Sequence, residues 1–73
     1  MPPRPLPYRE VVRKLKAAGF DEVGQHGSHV KFAKQTVSGR RTAVVPVHRE
    51  VATGTLRSIL RQTGLTWDEF EEL

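Results

Sequence analysis

The chain has 73 residues, no cysteine and a formal net charge of +4, from twelve Lys and Arg against eight Asp and Glu. That length makes one small domain near the lower limit for folding without staples, and the missing cysteines exclude a disulfide or thiolate–zinc framework as the staple. With no long apolar run and no signal-peptide core, the composition fits a soluble protein of the reducing cytoplasm rather than a secreted or membrane-embedded one.

Residues 1–7, Met-Pro-Pro-Arg-Pro-Leu-Pro, are proline-rich and read as an extended, solvated lead-in to a single domain over 8–73. Tyr8, Val11, Val12 and Leu15 then recur at helical spacing with Arg9, Arg13, Lys14 and Lys16 between them. Pro7 and Gly19 stand where proline opens and glycine closes a helix, so an amphipathic first helix is expected. Phe20 leads into a strand over 21–26, which a two-residue turn at Gly27-Ser28 returns as a strand over 28–34. Glycine at the first turn position supplies the positive φ of a II′ turn. The register that follows pairs His26 with His29, Gln25 with Val30, Gly24 with Lys31 and Val23 with Phe32. Period-two alternation then places Val23, Val30 and Phe32 on one face and His26, His29 and Lys31 on the other.

A polar loop over 35–40 leads to a third strand over 41–45, which Pro46 ends. After a linker over 46–50, Thr53 is placed to cap a second helix with Leu56, Ile59 and Leu60 as its apolar stripe and Gly64 at its left-handed end. Thr66-Trp67-Asp68-Glu69 fits a capping box, with Leu65 and Phe70 at the positions of a hydrophobic staple, so a short acidic helix closes the chain. The expected class is α+β, in the order α-β-β-β-α, with a three-stranded antiparallel sheet. Each long helix has one apolar stripe, so both pack on one sheet face and leave the other wet. That wet face carries His26, His29 and Lys31, with Arg40 and Arg41 arriving on the third strand.

Charge is uneven along the chain. Asp68, Glu69, Glu71 and Glu72 lie beyond the last basic residue, so residues 1–65 hold twelve cations against four acids, a net +8. Such a field favours a polyanionic partner: RNA, DNA or an acidic protein surface. RNA carries its own nucleophile, the 2′-hydroxyl beside each phosphodiester, and needs only alignment and two proton transfers to be cut. An unperturbed imidazole titrates near ~6.5 and serves as acid or base at neutral pH. A neighbouring lysine or arginine stabilises charge on the phosphorane oxygens. His29 beside Lys31 on an open face supplies both parts, and a histidine pair at the turn can divide the acid and base roles. Three histidines, His26, His29 and His48, also invite a zinc reading, but no cysteine and no helical His pair accompanies them, and no metal or other cofactor is expected. Ser28 lacks the flanking pattern of a nucleophile elbow and reads as a turn former.

The helix, Gly19-Phe20, Gly27-Ser28-His29-Val30-Lys31-Phe32, Val45-Pro46-Val47-His48 and Gly54-Thr55-Leu56-Arg57-Ser58-Ile59-Leu60 occur in one fixed order. In that order the chain resembles the HicA toxin family, also called YcfA-like, from about Tyr8 to Phe70. The resemblance implies a double-stranded-RNA-binding-domain-like fold and a metal-independent ribonuclease that cuts messenger RNA, held in a hetero-oligomer by a HicB-type antitoxin. It places the family's catalytic histidine at His29 and that motif's glycine and serine at Gly27 and Ser28. His26 inherits no role from the family and stands as a possible acid–base assistant, while Lys31, Arg40 and Arg41 are the expected RNA contacts. The competing readings are a non-catalytic double-stranded-RNA binder using the same face and a heterodimerisation module for an acidic partner.

Overall fold

The computed structural model describes residues 2–73. Its elements are β1 (Leu6–Pro7), α1 (Tyr8–Ala17), β2 (Asp21–His26), β3 (His29–Thr36), β4 (Gly39–Pro46), β5 (Glu50–Val51), α2 (Thr53–Thr63) and α3 (Trp67–Glu71). β2, β3 and β4 form an antiparallel sheet in that order, and β1 pairs with β5 apart from it. The α+β class and the α-β-β-β-α order with a short C-terminal helix match the sequence expectation. The apolar stripes of the helices, Val11 and Leu15 on α1 with Leu56 and Ile59 on α2, join Val30, Phe32, Ala43 and Val45 of the sheet in one buried cluster. Those four strand positions pair across β3 and β4 as Val30↔Val45 and Phe32↔Ala43, so they line one face. The helices therefore cover that face, and the side chains between these positions stay on the other.

The lead-in is shorter than expected. Leu6 and Pro7 pair with Val51 and Glu50, and Leu6 is buried in the core. Arg4 also reaches Glu71 of α3 at 2.6 Å and lies over the Trp67 ring. Apolar Leu6 had a core to enter, which the surrounding prolines mask in the sequence. The expected loop over 35–40 also contracts to a two-residue turn, Val37-Ser38, between Thr36 and Gly39. Gly39 takes φ +115°. The Thr36 hydroxyl accepts from the Ser38 amide at 3.2 Å and lies 2.6 Å from the Gly39 carbonyl, to which it donates. Side-chain bonding to the backbone thus makes a tight turn out of a stretch that composition alone reads as a loop. Thr53 is the first residue of α2 rather than its cap, since Ala52 takes that place without a side-chain bond. Gly64 ends α2 in the left-handed conformation, and the Thr66–Glu69 capping box is formed in both directions.

One register expectation fails. His26↔His29, Gln25↔Val30 and Gly24↔Lys31 pair as anticipated, but Phe32 faces Glu22, not Val23, because a bulge inserts Val23 into β2. An inserted residue flips the strand beyond it. Glu22 therefore shares Phe32's side, where burial first and the Glu22 carboxylate second raise the Tyr8 phenol above its usual pKa. Val23 is left 48% exposed.

Each helix C-terminus is met by a cation from another element. Lys34 Nζ donates to the Ala18 carbonyl at the end of α1 at 2.6 Å. Arg41 donates to the Gln62 carbonyl of α2 at 3.2 Å. Lys14, only 7% exposed, donates to the Glu71 and Leu73 carbonyls at the end of α3 at 2.9 and 3.1 Å. The last carbonyls of a helix lack intrahelical donors and sit at the negative end of its dipole, so these contacts satisfy both. Three of the twelve basic residues are thereby committed to the fold and not to a polyanion.

Candidate nucleic-acid interface and active site

The tip of the β2–β3 hairpin is built by Gly27, whose φ of +59° leaves no other residue of the turn at positive φ. That combination is the II′ turn read from Gly-Ser, since I′ needs two positive angles. A Cβ at Gly27 meets nothing within 4 Å, so the glycine is there for its conformation and not for space. Gly27→Ala is expected to cost about 1–2 kcal/mol, the price of a left-handed alanine, and urea unfolding checks it. A loss near zero shows that the turn adopts another type.

Directly after the turn, His26 and His29 are cross-strand partners, which sets their Cβ atoms about 5 Å apart. Both are exposed. Lys31 shares their face one pleat further along β3, across from Gly24, where an added Cβ would meet open space. A chain of phosphates can therefore approach the sheet backbone beside the Lys31 ammonium. Arg40 is also on this face, opposite Gln35, but Gln35 is six steps along the strand from His29, roughly 20 Å at 3.3 Å per residue. Arg41 is not on it. Its partner is Lys34, and both turn to the helix side, where each caps a helix. A one-residue offset decides this: neighbouring arginines on a strand face opposite ways.

His48, given no task by the sequence, lies on a segment tied to the turn. The Val47 amide donates to the Ser28 carbonyl at 2.7 Å, and the His48 amide donates to Pro46 at 3.0 Å. Pro46 is in turn the cross-strand partner of His29. No three His, Cys, Asp or Glu side chains among the described residues converge as a metal-holding group. Exposed Val44, opposite Lys31, and Val47 give this end of the face an apolar component that charge counting missed. On the outer edge of β4 the Val44 amide donates to Gln62 Oε1 at 2.9 Å, so α2 covers that edge. Sequence reading also missed a shallow cleft of about 260 Å³ lined by Pro7, Arg9, Arg49 and Glu50. Its two arginines are far apart in the chain, and only the β1–β5 pairing joins them.

These features define a small α+β domain with one helix-covered sheet face and one open face bearing a turn-mounted histidine pair and a lysine. A family model described as HicA toxin of bacterial toxin–antitoxin matches residues 8–65, and the chain belongs to that family. It is accordingly the toxin component of a toxin–antitoxin pair, with an antitoxin as partner. A comparison with curated proteins found no match. No helix among the described residues is long and apolar enough to cross a membrane.

Proposed function

We propose that this toxin is a metal-independent endoribonuclease that cuts messenger RNA with His29 as acid–base catalyst. The observation that carries the reading is the exposed cross-strand pair His26↔His29, held by a glycine turn on the same face as Lys31. One imidazole takes the proton of a ribose 2′-hydroxyl as O2′ attacks the adjacent phosphorus. The P–O5′ bond breaks, and the other imidazole, protonated, gives its proton to O5′. Lys31 compensates the charge that grows on the non-bridging oxygens. The products are a 2′,3′-cyclic phosphate and a 5′-hydroxyl. Gly27 and Ser28 set the pair's geometry, and Arg40 meets phosphate further along the strand.

A HicB-type antitoxin fits the same open face, covering His29 and Lys31 and setting carboxylates against the cations. RNA and antitoxin then compete for one surface, and both bind more weakly as salt rises. The deciding experiment incubates purified protein with RNA and with an all-deoxy strand of the same sequence, in EDTA. Cleavage of the RNA alone, with cyclic-phosphate ends, is expected. A magnesium or zinc requirement, or equal cutting of the deoxy strand, overturns the mechanism. RNA binding without any cut product makes the domain a non-catalytic RNA binder.

A further inference from the structure

The cleft between Arg9 and Arg49 has no task in the fold. Both arginines are exposed, and neither forms an ion pair or a side-chain hydrogen bond among the described residues, unlike Arg4, Arg13 and Arg41. Glu50 lines the cleft with them but pairs with neither. The backbone here is firmly placed, since Pro7 pairs with Glu50 and the Tyr8 amide donates to the Arg49 carbonyl at 3.4 Å. Two arginines without side-chain partners line one small cleft and bring to it the charge and paired donors with which arginine grips a phosphate.

Its position connects it to the hairpin. Val47 bonds to Ser28 of the turn, and Arg49 follows two residues later, so its Cα is within about 7 Å of that of Val47. His48 stands between. Pro46, the cross-strand partner of His29, is three residues before Arg49, so the cleft's Arg49 Cα is within about 11 Å of that of Pro46.

We propose that the cleft holds a backbone phosphate of the RNA strand that the His29 site cuts, a few nucleotides from the scissile bond. This rests on the ribonuclease reading above and adds a second grip on the same substrate. Nearness to the hairpin favours RNA over an acidic protein segment as the occupant: a strand aligned at His29 carries a phosphate at every nucleotide, and Arg49 is three residues beyond the cross-strand partner of His29.

The test measures binding of a short unstructured RNA as a function of salt, in a His29→Ala background that prevents cutting. Arg9→Gln with Arg49→Gln is expected to flatten the slope of log K against log salt by about 0.7, the contribution of one single-strand phosphate contact. The charge-matched control, Arg57→Gln with Arg61→Gln on α2, is expected to leave the slope nearly unchanged. An equal loss in both doubles overturns the proposal, because it marks a general charge effect and not a site. An unchanged slope in the cleft double, with weaker binding to the antitoxin, overturns it too and assigns the cleft to the protein partner. Absence of RNA binding by the parent overturns the ribonuclease reading itself, so the two failures are distinguishable. Circular dichroism on each double confirms the fold before binding is read.

Discussion

His29→Ala is expected to lower RNA cleavage by about 100- to 10,000-fold, the range for losing one positioned proton transfer, and to abolish toxicity on expression. The fold is expected to survive, because His29 is exposed and outside the buried cluster. Exposed substitutions of this kind shift stability by less than about 0.5 kcal/mol. Single-turnover cleavage with a thermal melt of the same sample reads both effects together. Wild-type cleavage in a folded variant removes His29 from the chemistry. His26→Gln sharpens the result. If the pair divides the acid and base roles, one limb of a bell-shaped pH–rate profile flattens, and an unchanged profile makes His26 a bystander.

Phe32→Ala is expected to cost about 3–5 kcal/mol, through lost transfer energy and the cavity left behind. Phe32 is fully buried on the central strand, directly beneath the face that carries Lys31 and opposite Ala43. A domain of this length has a total stability of roughly 4–11 kcal/mol at 0.05–0.15 kcal/mol per residue. That single loss is about a quarter or more of the total, and the melting temperature should drop by more than about 10 °C. Activity should fall with the folded fraction, and added antitoxin should raise the melting temperature again by mass action without restoring cleavage. A melting temperature within a degree or two of the parent shows that the core under the site can collapse around the deletion.

Periodicity and turn chemistry made most of the architecture legible. The helical stripes, the Gly27-Ser28 turn, the His26↔His29 pairing, the Gly64 terminus and the Thr66 capping box all rest on local rules, and all are present. What was not legible depends on distant partners or on a single-residue offset. The Val23 bulge leaves no mark in composition, and it turned a residue assigned to the core outward. Arg41 differs from Arg40 only by strand parity, yet it serves α2 and not the open face. Leu6 was hidden among prolines until β5 supplied its partner. The Arg9–Arg49 cleft needed that same pairing to exist.

Lys34 and Arg41, side by side on adjacent strands, each end a different helix. The last turn of α1 cannot fray without surrendering a bond to β3, nor that of α2 without surrendering one to β4. Small openings that would let a protease in are thereby coupled to parting of the sheet, and cleavage of the free toxin becomes tied to unfolding of the whole domain. A chain built this way gives degradation few places to begin while its sheet holds.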